Sequence, residues 1–255
     1  MKNYSDKIST KTTEFLYGIH PVIEALKAGR RTFHEIYIEE TKKNNRFDKI
    51  MFLAKSLAIP VTMVSNSFLD KSSGLKLHQG VCAKVTEYES FDILDITQNT
   101  QPIFLLILDG IIDPNNLGAL IRTGVCAGID GVIIPKDRSC SPTAAVSKSS
   151  SGALEYVKLC IVNNIVRTIT ELKEKNLWMI GLEAGSKKNI YETDFTGSIG
   201  IVIGSEDKGM RPLVKKSCDF LASIPQKGQI SSLNASSAGA VALYEAYRQR
   251  NFAKI

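Results

Sequence analysis

The chain has 255 residues, of which 44% are hydrophobic and 23% charged, ordinary values for a globular protein and too apolar for wholesale disorder. Lysine and arginine total 32 against 26 acidic residues, a net charge of +6, which suits a polyanionic partner without establishing one. The length admits one large domain or two smaller ones. Residues 1–13 are polar, lack an apolar period and read as a flexible tail. From Pro21 to Ala28, Val22, Ile23, Ala25 and Leu26 recur at helical spacing, with Pro21 as starter and Gly29 as stop. Glu35–Glu39 alternates as a strand, Phe47–Ala58 reads as a helix closed by Pro60, and Val61–Val64 and Gly80–Val85 read as strands. Residues 14–86 are thus expected to form a small α/β domain. Residues 87–102 are acidic and polar and read as a linker, clearest at Gln98-Asn99-Thr100-Gln101-Pro102. Beyond it, buried-type strands at Ile103–Leu108, Gly131–Ile134, Leu177–Leu182 and Ile199–Ile203 alternate with helices at Leu117–Ala127, Ile165–Lys175 and Ala235–Gln249. That alternation predicts an α/β domain over 103–255 with a largely parallel sheet covered on both faces.

Several function classes are excluded by what the chain lacks. Its five cysteines (Cys82, Cys126, Cys140, Cys160 and Cys218) are scattered without a C-x-x-C pair, so neither a disulfide framework nor a zinc site is expected. His20, His34 and His78 form no H-E-x-x-H or comparable pair, and His78 in HQGV reads as structural. No metal is therefore expected. The longest strongly apolar run, Ile103–Leu108, is too short for a bilayer, and no stretch has a signal peptide's apolar core. A cytoplasmic protein without membrane contact is the expectation. G-x-G-x-x-G, G-x-x-x-x-G-K-[ST] and G-x-S-x-G are all absent, which argues against an ordinary dinucleotide loop, a P-loop and a hydrolase elbow.

Three segments of the second half look too specialised for plain scaffold. In the first, a buried strand ends at Leu108-Asp109-Gly110 and an Asp-Pro-Asn-Asn turn opens a helix that runs to Arg122. Strand ends beside helix N-termini suit ligands and anions. Taken alone, Asn115 and Asn116 also read as turn and N-cap residues, and Arg122 as a surface arginine or an ion pair. In the second segment, IGIVIGSEDKG, the strand ends in Gly204, Ser205 and Glu206, with Gly209 following. Its glycines allow a backbone close to a ligand, or merely a tight turn. The third runs from Ile224-Pro225-Gln226-Lys227-Gly228 to Ser231-Ser232-Leu233-Asn234-Ala235-Ser236. Ser232 reads there as a helix cap, although the cluster holds more polar groups than one cap requires.

Together, DPNNLGALIRT, IGIVIGSEDKGM and SIPQKGQISSLNASSAGA resemble, in order, the three motifs of the SpoU/TrmH family of the SPOUT superfamily. These are S-adenosyl-L-methionine-dependent RNA ribose 2'-O-methyltransferases. LYGIHPVIEALKAG, HQGVCAKV and SKSSSGALEYV resemble the subgroup acting on a guanosine ribose in large-subunit ribosomal RNA, and the likeness spans roughly residues 15–250. The resemblance implies an L30e-like RNA-binding domain at 14–86 and a SPOUT domain with a deep trefoil knot at 103–255. It implies a cofactor pocket lined by Gly204, Ile224 and Leu233, and a catalytic set of Asn116, Arg122, Glu206, Ser232 and Asn234. It implies a homodimer with the Ala235–Tyr247 helix beside its interface, although that helix reads equally as an intramolecular core element. An arginine does not lose its proton in proteins, so Arg122 is expected to bind the target phosphate and stabilise the developing alkoxide.

Three other readings remain open at this level. One is a tRNA guanosine 2'-O-methyltransferase, which the extra N-terminal domain disfavours. Another is an rRNA methyltransferase giving antibiotic resistance. The last is a non-catalytic RNA-binding or ribosome-assembly factor of the same fold, disfavoured by the intact Asn116, Arg122, Glu206 and Asn234. Residues 1–90 carry +4 of the +6 net charge, where the resemblance puts RNA contact.

Overall fold

The computed structural model describes residues 12–42, 45–74, 76–98, 102–228 and 232–252. Most of the expected tail (1–11), Asn99-Thr100-Gln101 of the expected linker, Ser231 and residues 253–255 lie outside the described residues. Two units divide the chain, Met1–Tyr88 and Glu89–Ile255.

The first unit runs β1 (Thr13–Tyr17), α1 (Ile19–Ala28), β2 (Phe33–Glu39), α2 (Asn45–Ser56), β3 (Val61–Val64), α3 (Asn66–Ser73) and β4 (Val81–Thr86). Its sheet has the order β1-β4-β2-β3. β4 runs antiparallel to both β1 and β2, whereas β2 and β3 are parallel. Sequence patterning missed β1 and α3. β1 has only two fully buried positions, adjacent rather than alternating, so it shows no strand period, while α3 rests on the Ser65 cap and Gly74 in the left-handed region. Arg31 ties the strands together, pairing with Glu14 of β1 and donating to the Thr86 carbonyl at 3.2 Å. His78 is buried and structural. Its Nδ1 accepts from the Gly80 N–H at 3.0 Å, which leaves Nε2 to donate to Asp70 Oδ1 at 3.1 Å.

The stretch read as a linker is partly built structure in the second unit. Ile93–Thr97 forms α4 behind an Asp92/Asp95 capping box, and Ile96 is fully buried against the parallel-sheet core. Its polar flanks concealed a single apolar contact face. The unit continues β5 (Phe104–Asp109), α5 (Pro114–Ala127), β6 (Gly131–Pro135), α6 (Ala144–Ser149), β7 (Leu159–Val162), α7 (Ile165–Glu174), β8 (Trp178–Leu182), β9 (Lys188–Asn189), β10 (Ile199–Gly204), α8 (Pro212–Ser217), β11 (Phe220–Ser223) and α9 (Ala235–Asn251). Strand order is β7-β6-β5-β10-β8-β11-β9, and every pairing is parallel. The expected strands and helices are present. The edge strands β7 and β9, the short inner strand β11 and the short helices α6 and α8 were missed, being too brief to show a period.

β5 and β10 are buried at every position, as central parallel strands covered on two faces require. Leu105, Ile107 and Val202 face a core that includes Ile165 and Ile169 of α7, Val214 of α8 and Ile96 of α4. On the opposite face α9 packs against α5. A Cβ on Gly239 of α9 would meet Leu120 Cδ2 at 2.2 Å, so that helix pair sets its spacing with a glycine. Burial pushes the thiols of Cys82 and Cys160 up to about 12, so neither is a nucleophile at neutral pH.

Candidate active site

A parallel sheet gathers all its strand C-termini along one rim, and ligands bind there in doubly wound folds. The site is built on that rim. β5 ends at Asp109, whose buried carboxylate accepts from the Arg211 backbone N–H at 2.8 Å and from Arg211 Nε at 2.8 Å. This double contact fastens the segment leaving β10 to the end of β5.

α5 begins at Asp113, whose side chain accepts from the Asn115 N–H at 3.0 Å, with Pro114 in the first turn. The cap is therefore Asp113, not Asn115 or Asn116. Proline favours the first helical position because it has no N–H to satisfy. That frees Asn116, whose Nδ2 donates to Glu206 Oε1. Residues 90 positions apart in the first and second motifs thus meet directly. A Cβ on Gly118 would lie 2.0 Å from Ser149 Oγ. Glycine there lets Ser149 reach the Pro114 carbonyl at 2.7 Å and brings α6 against α5. Arg122 is exposed and donates to Ser151 Oγ at 3.1 Å. It joins the Ser149–Ser151 run rather than Asn116 or Glu206. Desolvation holds the half-buried Lys148 ammonium below the usual lysine range, and burial aided by the Asp113 charge pushes the Cys140 thiol up.

β10 ends in a closed turn. Ser205 and Gly209 exchange backbone hydrogen bonds of 3.1 and 2.9 Å. Gly209 has φ +62°, a left-handed conformation that favours glycine. A Cβ on Gly204 would sit 2.0 Å from the Gly209 carbonyl carbon, so no larger residue fits as the turn folds back. Beside this turn lies a cavity of about 610 Å³ at the C-terminal ends of β10, β8 and β11. Gly204, Glu206, Ile224, Ser232 and Leu233 all line it. Asn116 reaches it only through Glu206. Asn234 caps α9, accepting from the Ser236 N–H at 2.9 Å and from Ser236 Oγ at 2.6 Å, so the cap is Asn234 rather than Ser232. Ser151, which holds Arg122, lies in the SKSSSGALEYV stretch, where its role is not legible from sequence. Its one signal was a triple serine before glycine. Glu183, a further wall of the cavity, pairs with Lys215 at 2.7 Å and carried no local signal at all.

The lining suits an adenosylated sulfonium ligand. Leu182, Ile203, Met210 and Leu233 offer apolar walls for a purine, and the carboxylates of Glu183 and Glu206 face the same space, complementary to cationic groups. The volume lies in the usual range for small-molecule sites. Among the described residues no group of three or more histidine, cysteine or acidic side chains is arranged to hold a metal, and no helix is long and apolar enough to cross a membrane.

A family model described as the SpoU rRNA Methylase family matches residues 103–244, and one described as RNA 2'-O ribose methyltransferase substrate binding matches residues 15–91. The chain belongs to the SpoU rRNA methylase family. Membership is also carried by relatives. The chain is 38% identical over 242 residues to 23S rRNA (guanosine-2'-O-)-methyltransferase RlmB of Escherichia coli K12, covering 94% of this chain and 100% of that protein. It is 42% identical over 241 residues to a Staphylococcus saprophyticus protein named for the TrmH family of tRNA/rRNA methyltransferases, covering 93% and 96%. The fold matches that of the SpoU methyltransferase AviRb from Streptomyces viridochromogenes in complex with AdoMet. The TM-score is 0.79 at 21% identity, over 93% of this chain and 90% of that one. The α/β fold with a parallel sheet is thus the SpoU type.

Proposed function

We propose that the chain transfers a methyl group from S-adenosylmethionine to a ribose 2'-hydroxyl of RNA, most specifically a guanosine of 23S rRNA. One observation carries the reading: the Asn116–Glu206 contact joins two motif segments at the rim of the cavity lined by Gly204, Ile224 and Leu233. The activity for which the RlmB relative is named supports the guanosine and the rRNA. S-Adenosylmethionine, when bound, supplies the electrophilic methyl group.

The protein's own residues orient the acceptor and manage its charge. Asn116 holds Glu206 through Oε1, leaving Oε2 to receive the hydroxyl proton. Arg122 pairs with the target phosphate and stabilises the alkoxide as it forms, because a guanidinium stays charged and donates in a fork. Ser232 shapes the target side of the cavity, and Asn234, by capping α9, sets the course of the preceding segment. Residues 14–86 serve as an L30e-like RNA-binding domain, supported by the substrate-binding family model. The catalytic domain holds its cofactor within a trefoil knot. The protein works as a cytoplasmic homodimer; the exposed Tyr244 and Val241 on α9 support that assembly.

The test is methylation of 23S rRNA and tRNA transcripts with radiolabelled S-adenosylmethionine, followed by alkaline hydrolysis. A hydrolysis-resistant 2'-O-methylguanosine in 23S rRNA is expected. Label confined to tRNA would replace the rRNA assignment, and absence of cofactor binding in calorimetry would favour a non-catalytic RNA-binding factor.

A further inference from the structure

A second cavity, of about 670 Å³, lies at the C-terminal ends of β6, β5 and β10. It shares the Ser205–Gly209 turn with the first cavity, so the two flank one wall. Its charged residues differ in how they are engaged. Asp109 is committed to Arg211, Asp113 caps α5, and Glu206 is held by Asn116. Asp207 and Lys208 belong to the shared turn and line both cavities. Asp137 and Arg138 line only the second. They stand side by side just past β6, both are exposed, and their side chains are engaged by no described group. Arg138 has φ +57°, a left-handed conformation that is uncommon for a non-glycine residue. Above the same cavity Ile112 is 68% exposed, and Pro135 and Pro212 add apolar faces.

An adjacent carboxylate and guanidinium, with apolar faces beside them, match one base better than the others. Guanine presents two donors together, N1–H and the 2-amino group, and two acceptors together, O6 and N7. Adenine puts an acceptor where a carboxylate needs a donor. We infer that the second cavity receives the guanine of the target nucleotide, with the Asp137 carboxylate accepting from N1–H and the 2-amino group and Arg138 donating to O6 and N7. Ile112 then covers the face of the base. The shared turn carrying Glu206 brings the ribose of that nucleotide beside the first cavity. This inference rests on the methyl-transfer reading above and assigns the base specificity of the same site.

Two measurements on the full chain test it. In the first, isotope-labelled protein is titrated with GMP or AMP and followed by amide shifts. GMP is expected to move the amides of Gly110, Asp137 and Arg138, AMP to leave them in place, and Asp137→Asn to weaken GMP binding at least about 10-fold. In the second, 23S rRNA transcripts carry guanosine or inosine at the methylated position. Inosine lacks only the 2-amino group. Wild-type kcat/KM is expected to fall about 10-fold on inosine, whereas Asp137→Asn treats the two transcripts alike and keeps its S-adenosylmethionine affinity within about twofold. A loss of packing would lower both transcripts equally. The inference is overturned if GMP leaves those amides unmoved, or if Asp137→Asn shows the wild-type inosine penalty. GMP binding at these amides without methylation of any RNA would support the guanine site and sink the methyl-transfer reading.

Discussion

In the four-stranded sheet of residues 12–88, strands run both ways, and β3 leaves Met63 49% exposed. In the seven-stranded sheet beyond residue 89, all strands run parallel, and β5 and β10 are buried throughout. The directions decide what each sheet can host. A mixed sheet distributes its strand C-termini between two ends, while a parallel sheet collects them on one rim, where loops and helix N-termini converge. Both cavities described above lie on that rim, and every residue proposed for chemistry sits in the parallel unit.

That contrast can be broken or sharpened by substitution. The largest effect is expected at the rim. Glu206→Gln should lower kcat by about 1000-fold, the scale of losing a positioned proton acceptor, a far larger loss than the drop in S-adenosylmethionine affinity that calorimetry reads. A small loss would remove Glu206 from the proton path. Next comes a purely structural lesion in the mixed unit. Arg31, with a side chain only 2% exposed, should cost about 3 kcal/mol when replaced by alanine, because the buried guanidinium's ion pair with Glu14 and its hydrogen bond to the Thr86 carbonyl are lost; urea denaturation reads the cost. If the units are independent in function, this variant keeps its cofactor affinity while folded. Gly204→Ala tests the shared wall. Its Cβ would collide with the Gly209 backbone at 2.0 Å, and overpacking of that kind costs about 1–3 kcal/mol. S-Adenosylmethionine affinity should drop by up to about 100-fold, and an unchanged affinity would mean that the turn is not a wall of the cofactor site. The smallest effect belongs to the exposed Arg167–Glu171 pair on α7. Glu171→Ala should change stability by no more than about 0.5 kcal/mol, measured by thermal unfolding.

The legible parts of the chain were those with local periodicity or motif chemistry. The central strands, α5, α7 and α9 announce themselves through continuous apolar runs or 3.6-residue repeats. Edge strands of two to four residues and a six-residue helix such as α6 cannot, because one or two buried contacts make no period. α4 was hidden in the same way, its burial resting on Ile96 within an acidic stretch.

The sequence alone determined the parallel α/β class and the family, since strand burial and three ordered motifs are written residue by residue. It also singled out Gly204, Glu206, Ile224, Ser232 and Leu233, which share one cavity. Only the tertiary structure decided how separate motifs meet. Asp113 takes the cap, so Asn116 is free to hold Glu206. Arg122 turns to Ser151 instead. Asp137 and Arg138, plain loop charges in the sequence, stand out only when Asp109, Asp113 and Glu206 are seen to be engaged and Asp207 and Lys208 to belong to the wall shared with the first cavity. Pairing of that sort depends on strand order and on close backbone approaches at Gly204 and Gly118, which are long-range properties that no local window contains.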